Sequence, residues 1–96
     1  MITFSNKTNN GNFNYVNEDL NINITGSYSL DESNNLVAIN FQFGYINQMM
    51  VGTLNGYLNG NEMQFNISCS DFVLLNKVMS VYDEIVTAIK ENNTQA

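Results

Sequence analysis

The chain has 96 residues, of which 44% are hydrophobic and 12% are charged, and this balance is typical of one soluble globular domain over residues 1–96. Its nine acidic and three basic residues give a net charge of −6, which disfavours nucleic acid and anionic membranes as partners. No segment is apolar over the roughly 18 residues that cross a bilayer, no signal peptide is visible, and Cys69 is the single cysteine, so we expect a cytoplasmic protein without a membrane partner.

The N-terminal part of the chain carries the weakest strand signals. Residues 2–5 and 13–16 are predicted to form two short strands. Between them, the run Asn-Asn-Gly-Asn at 9–12 indicates a turn, because Asn and Gly tolerate positive φ angles. The path of residues 1–19 relative to the later strands stays open at this point.

The next two segments alternate between apolar and polar residues, which is the period of a strand with one buried and one solvated face. The strand predicted over residues 20–30 has Asn, Thr and Ser at alternate positions. The strand predicted over residues 36–45 places Asn40 and Gln42 on its polar face. A polar turn that begins at Asp31 separates the two strands.

A third hairpin is predicted from strands over residues 49–58 and 62–69, joined by a type I′ turn with Asn-Gly at 59–60. In that register Leu54 lies opposite Phe65. Directly opposed residues share a face, so one face of the hairpin collects apolar side chains and the other collects Asn, Gln, Thr and Ser. The agreement between the turn residues and this separation supports the hairpin.

A helix is predicted over residues 71–91, with Ser70 or Asp71 as its N-cap. Its apolar residues form two neighbouring stripes. The first stripe comprises Phe72, Leu75, Met79, Tyr82, Val86 and Ile89, and the second stripe comprises Leu74, Val78, Val81 and Ile85. One sheet face requires an apolar arc of only about 100°. The second stripe is therefore a candidate oligomer interface, and Val78→Asp is expected to break a homodimer while the monomeric fold survives.

Together these elements predict an α+β fold: an antiparallel, four- to five-stranded curved meander sheet with one long C-terminal helix packed on its apolar face. Gly26, Gly52 and Gly56 lie on that face and indicate places where the sheet bends or approaches other backbone closely. The surplus apolar arc of the helix has three explanations. The sheet wraps around the helix, the N-terminal segment covers it, or a second chain does.

The residue types that carry most enzyme chemistry are scarce in this chain. It has no His for general acid–base catalysis at neutral pH, and Cys69 is predicted to lie on the core face. A zinc site needs several Cys or His ligands, and the acidic turn that begins at Asp31 lacks the spacing of a calcium loop. We therefore predict a protein that is not an enzyme and that uses no metal or cofactor.

The leading functional hypothesis is a small acidic protein-binding domain that occludes a partner, as an inhibitor, an immunity protein or a phage anti-defence protein does. Such a protein is steered electrostatically toward basic sites. Its candidate contact residues are Asp31, Glu32, Asn40, Gln42, Thr53, Asn55, Tyr57, Gln64 and Asn66. One alternative is a homo-oligomeric assembly module joined through the second stripe. Another is a small-ligand carrier with a cavity among Tyr28, Phe41, Phe43 and Phe65.

Overall fold

A computed structural model describes residues 1–4 and 9–94, which form one antiparallel sheet and a C-terminal helix. The strands are β1 (Ile2–Phe4), β2 (Asn10–Asn17), β3 (Ile22–Leu30), β4 (Leu36–Tyr45), β5 (Met50–Asn59) and β6 (Glu62–Ser68), and the helix is α1 (Phe72–Thr94). Each strand pairs with the next one in the chain, so the sheet order runs from β1 to β6. The predicted α+β meander with its C-terminal helix is confirmed, with six strands instead of four to five.

The core lies between the inner face of the sheet and one side of α1. Alternation along each strand directs every second side chain toward the helix. The buried core residues are Phe13, Tyr15, Ile22, Ile24, Tyr28, Leu30, Leu36, Ile39, Phe41, Phe43, Leu54, Leu74, Val78, Val81, Ile85 and Ile89. Rings run in series from Phe4 through Tyr28, Phe13 and Phe41 to Phe43, with neighbouring centroids 6.0 to 6.5 Å apart. Three of the four rings considered for a ligand cavity therefore pack against other rings of the core.

The start of α1 is fixed by Asp71, one of the two predicted N-caps. Its Oδ1 accepts a hydrogen bond from the backbone N–H of Leu74 at 3.1 Å, and its Oδ2 accepts one from the hydroxyl of Tyr45 at 2.9 Å. The first bond satisfies an amide that has no partner inside the helix, and the second ties the helix to the end of β4. The bond from Leu74, followed by the bond from Tyr45, lowers the pKa of Asp71.

We expect Asp71→Ala to lower the thermal midpoint by several degrees at neutral pH, because it removes the cap and the contact with Tyr45. The carboxylate stabilises the fold above its unfolded pKa of 3.8, and this contribution is lost as the pH falls through the lower folded pKa. The difference in midpoint between wild type and variant should therefore narrow in acid. Thermal unfolding followed by circular dichroism measures it across the acidic range. A difference that does not change with pH would contradict the role of the charge.

The helix continues to Thr94, beyond its predicted end at residue 91. Asn93 Nδ2 donates a hydrogen bond to Asn34 Oδ1 at 2.8 Å, and Asn34 Nδ2 donates one to the carbonyl of Lys90 at 3.2 Å. Asn34 has a φ of 67°, which Asn adopts more readily than most residues. These contacts bind the last turns of α1 to the β3–β4 turn, and they explain why the helix is longer than its apolar pattern.

The structure exchanges the roles predicted for the two helix stripes. The candidate oligomer interface is at most 5% exposed at every position: Leu74, Val78, Val81 and Ile85. In this fold the chain's own sheet covers these side chains, so they are not available to a second chain. The first stripe, which was expected to meet the sheet, lies beside the contact except at its last member, Ile89, which is buried. Its members Phe72 and Met79 are 71% and 38% exposed. The surplus apolar surface exists, but it is the first stripe that supplies it.

The β5–β6 hairpin differs from the predicted hairpin by two residues in register. Its turn is Gly-Asn at 60–61, and the glycine alone has a positive φ, at 67°, which is the pattern of a type II′ turn. Leu54 pairs with Ile67, and Phe65 pairs with Gly56. A shift of two residues keeps every side chain on its predicted face, so the alternation of polar and apolar residues is the same in both registers.

The turn predicted at 9–12 is mostly strand. Residues 10–12 belong to β2 and pair with residues 27–29 of β3. Within this stretch Gly11 is buried while its Asn neighbours face solvent, so the local sequence follows the alternation of a half-buried strand. Pairing with β3 therefore overrides the local preference of Asn and Gly for turns. Residue 5, at the end of the first predicted strand, lies outside the described residues.

Candidate functional site

The outer face of the sheet, opposite the helix, is polar and nearly uncharged. Cross-strand neighbours line up there in rows: one row is Thr3, Asn14, Thr25, Gln42, Thr53 and Ser68, and the next is Asn12, Ser27, Asn40, Asn55 and Asn66. Most of the predicted contact residues are exposed on this face, namely Asn40, Gln42, Thr53, Asn55, Tyr57, Gln64 and Asn66. The structure thus brings these residues together on β4, β5 and β6. Their role in contacting a partner stays a prediction.

Asp31 and Glu32 lie apart from these rows, in the β3–β4 turn. Asp31 Oδ1 accepts hydrogen bonds from the backbone N–H groups of Ser33 and Asn35, at 2.8 and 2.9 Å. The bond from Asn35, and after it the bond from Ser33, lowers the pKa of Asp31. The carboxylate that was predicted to contact a partner therefore closes its own turn, whereas Glu32 is exposed.

Polar contacts hold α1 toward the β2–β4 side of the sheet. The hydroxyl of Tyr15 donates a hydrogen bond to Glu84 Oε2 at 3.0 Å, and Lys77 Nζ donates one to the carbonyl of Leu20 at 3.2 Å. Lys77 Nζ also lies 5.6 Å from the ring centre of Tyr45, within the range of a cation–π contact. These contacts and the N-cap fix one side of the helix. The opposite side of the helix, toward β6, meets the sheet through apolar side chains.

The apolar surface between β6 and α1 is incompletely covered. We name it the β6 flank; it comprises Leu58, Met63, Phe65, Ile67, Phe72, Leu75, Met79, Tyr82 and Val86. On β6 itself, Phe65 is 43% exposed and Ile67 is 39% exposed, although both point to the helix side of the sheet. In the same cross-strand rows, Ile39 of β4 and Leu54 of β5 are completely buried. The helix α1 therefore covers the inner face of β4 and β5 at these positions but leaves the inner face of β6 partly exposed.

Phe65 is the aromatic residue that joins the two sides of the flank. Its ring meets the ring of Tyr82 edge to face, with 5.6 Å between the centroids. Across the hairpin it lies over Gly56, where a Cβ atom would come 3.0 Å from the ring. The absence of a side chain at Gly56 gives the ring this position. Burial, with a smaller effect of the charge on Asp83, raises the pKa of Tyr82.

β6 is also an open edge of the sheet, since within residues 1–4 and 9–94 it pairs with β5 alone. In a hairpin closed by two residues, the flanking pair Asn59 and Glu62 is hydrogen-bonded, and such pairs alternate along the strands. The backbone N–H and C=O groups of Met63, Phe65 and Ile67 therefore point away from β5. Sheets commonly protect such an edge with Lys, Pro or a bulge, and β6 has none of these.

A cleft of about 550 Å³ continues the β6 flank to the end of the sheet. It lies between the β3–β4 and β5–β6 turns, and the charged residues Asp31 and Lys90 line it together with apolar side chains of the flank. The flank thus begins near Phe72, at the start of α1, and ends beside charged groups.

The described part of the chain has neither a cluster of metal ligands nor a membrane-spanning helix. It contains no group of three or more Cys, Asp or Glu side chains placed to hold a metal ion. In those same residues no helix combines the length and the apolarity that crossing a bilayer requires. Cys69 is half-buried, and its thiol donates a hydrogen bond to the carbonyl of Asp71 at 3.3 Å. This thiol packs at the junction between β6 and α1.

Compared with models of protein families, with curated proteins and with solved structures, the chain shows no significant match. The fold and the surfaces define an α+β domain with a polar outer sheet face and an apolar flank beside an open strand edge.

The β6 flank was not among the surfaces predicted to bind a partner, because the sequence placed Phe65 and the first helix stripe in the core. A signal for it was nevertheless present. The last strand of a meander lies at an edge of the sheet, and a single helix held over the middle strands leaves the inward side chains of that edge partly uncovered.

Proposed function

We propose that this protein is a non-enzymatic protein-binding domain that engages its partner through the β6 flank and occludes the surface that it binds. The observation that carries this proposal is that β6 combines exposed apolar side chains with a backbone edge that no other described strand pairs with. A partner strand added beside β6 satisfies the outward N–H and C=O groups of Met63, Phe65 and Ile67 and extends the sheet. The side chains of that strand on the helix side cover the rest of the flank.

The composition of the flank favours a protein as the ligand. Aromatic residues and Met are enriched at the centres of protein interfaces, and the flank presents Phe65, Phe72, Tyr82, Met63 and Met79. The polar outer face of β6 supplies a solvated rim to the same edge. Nucleic acid is a poor alternative, because the chain carries a net charge of −6.

Two neighbouring residues of β6 distinguish the flank from the outer face. Ile67 points to the helix side and Asn66 points outward, and both are exposed, so we expect the fold to tolerate Lys at either position. Ile67→Lys is expected to reduce partner capture about tenfold or more, because it places a charge in the apolar contact. Asn66→Lys is expected to leave capture nearly unchanged. Quantitative affinity capture of the tagged proteins from the lysate of the native host measures both, with circular dichroism to confirm folding.

The opposite result relocates the binding site. If Asn66→Lys abolishes capture and Ile67→Lys does not, the partner binds the outer face, where the contact residues predicted from the sequence stand. If neither substitution changes which proteins are captured, strand β6 does not bind the partner and the proposal is wrong.

A further inference from the structure

We infer that the occupant of the β6 flank is a second copy of this chain, joined by antiparallel pairing of β6 with β6 about a two-fold axis at Phe65. The inference rests on the proposed function, because it names the partner of the same site. Two-fold dimers are the commonest oligomers, and their interface is one surface patch that is complementary to itself. The backbone, the side chains and the charges of β6 each meet that requirement.

The outward backbone groups of β6 select the register of the pair. A hydrogen-bonded antiparallel pair requires outward groups on both strands, and Met63, Phe65 and Ile67 are the residues of β6 that offer them. With Phe65 opposite Phe65 of the second copy, Met63 lies opposite Ile67 of the second copy and every outward group is used. A shift of one residue brings outward groups against backbone that is already bonded to β5. A shift of two residues leaves the end of the strand unpaired.

The same register matches the side chains on both faces of the sheet. On the helix side it opposes the two Phe65 rings and pairs Met63 with Ile67, and these are aromatic and aliphatic contacts that stabilise sheets. On the outer side it opposes Gln64 and Asn66, so the polar rows continue into the second copy. Because antiparallel pairing keeps each face on its own side, both helices lie on the same side of the continuous sheet.

The charges of the chain oppose association in general but not at this contact. Each copy carries a net charge of −6, whereas Glu62 is the charged residue of β6 and this register places it opposite Ser68. Added salt screens the repulsion between the copies and leaves the uncharged contact unaffected. The dimer is therefore expected to tighten as salt is raised. A basic protein bound to an acidic surface would respond in the opposite direction.

The exposed apolar area of the flank supplies much of what a dimer of ordinary size buries. The exposed parts of Leu58, Phe65, Ile67, Phe72 and Met79 amount to roughly 450 Å² if each whole side chain offers about 200 Å². The half-buried members of the flank and the backbone edge add to this value. The five exposed side chains alone supply a little over half of the roughly 800 Å² that each partner contributes to a standard interface.

A disulfide across the outer face tests the register directly. In the double variant Gln64→Cys with Asn66→Cys, made in a Cys69→Ser background, the introduced thiols lie opposite each other across the two-fold axis. Their Cα atoms are expected to be about 4.5 Å apart, which is within the range of a disulfide. Mild oxidation at low micromolar concentration should give a covalent dimer. The Gln64→Cys variant alone should give little, because its thiols are offset along the strands.

Sedimentation equilibrium of the full chain tests the dimer itself. At high micromolar concentration and high salt we expect twice the chain mass of 10.8 kDa. Ile67→Pro and Ile67→Thr both remove apolar surface, but only Pro also removes an outward N–H that β5 does not use. Ile67→Pro is therefore expected to raise the dissociation constant about tenfold or more beyond Ile67→Thr. Circular dichroism verifies that both variants fold.

The outcomes separate the inference from the proposed function. A monomer under these conditions, or a dimer that neither cross-links nor responds to Ile67→Pro, overturns the inference. If such a monomer still captures another protein in a manner that depends on Ile67, the second copy is replaced by a foreign strand and the proposed function stands. If nothing that it captures depends on Ile67, both are wrong.

Discussion

A Val78→Asp substitution is expected to unfold this protein. Val78 is 0% exposed and lies in the helix stripe that packs on the sheet. An aspartate at this position buries a carboxylate without a partner, at a cost on the order of 4 kcal/mol or more. That cost is a large part of the roughly 5–15 kcal/mol by which a domain is stable. Urea denaturation followed by circular dichroism should show the loss of the helical signal and of the cooperative transition.

Met79→Asp is the matched control for this prediction. Met79 is the next residue of the helix, but it belongs to the first stripe and is 38% exposed. At a protein concentration low enough to keep the chain monomeric, the same charge at this position is expected to change the free energy of unfolding by less than about 1 kcal/mol. If Val78→Asp folds as well as Met79→Asp, the second stripe is not the core stripe. That result would restore the sequence-based expectation that Val78→Asp breaks a dimer and spares the fold.

The polar residues of α1 identify its core side better than the apolar residues do. Both apolar stripes have helical spacing, so their periodicity does not select one of them. Asn76, Ser80, Asp83 and Thr87 are all exposed and share one face of the helix. At about 100° per residue, the face directly opposite runs through the second stripe. The positions of the polar residues therefore predict which side of the helix faces the sheet, whereas the apolar spacing does not.

The β5–β6 register shows what alternation alone leaves undetermined. Residues 59–61 read Asn-Gly-Asn, which suits a type I′ turn centred on 59–60 and a type II′ turn centred on 60–61. Both turns keep the polar and apolar faces intact. The structure has the second turn, and it seats the ring of Phe65 over Gly56 and against Tyr82. The contact with Tyr82 involves a helix residue, so the hairpin sequence alone does not encode it.

The outer face can be predicted from the sequence of each strand, whereas the β6 flank can be predicted only from the assembled fold. The outer-face residues follow from alternation within each strand, and their positions agree with the sequence analysis. The flank depends on which strand is at the edge and on where the helix lies across the sheet. The helix position is fixed by contacts such as the hydrogen bond from Tyr15 to Glu84, between residues 69 positions apart in the chain. Local patterns do not encode such contacts.

Gly26→Ala is expected to be strongly destabilising although it adds a single methyl group. Gly26 lies between Phe13 and Phe41 in the middle of the sheet. A Cβ atom at this position would overlap the carbonyl oxygen of Asn40 and the Cβ of Phe41, and it would lie 2.6 Å from the Cα of Phe41. Because these are mainly backbone atoms of β4, no rotamer change relieves the overlap. We expect the free energy of unfolding to fall by about 3 kcal/mol or more.

Gly60→Ala is the control for this steric effect, because Gly60 is required for its backbone conformation and not for lack of space. At Gly60 nothing lies within 4 Å of an added Cβ, and the glycine is needed for its φ of 67°. The cost of Ala there is the strain of that φ, about 1–2 kcal/mol. Urea denaturation of the two variants should therefore rank Gly26→Ala well below Gly60→Ala in stability. Equal losses would mean that β3 and β4 do not approach as closely as the structure has them. A large loss at Gly26 alone would mean that the sheet which positions the β6 flank depends on backbone contact between its central strands.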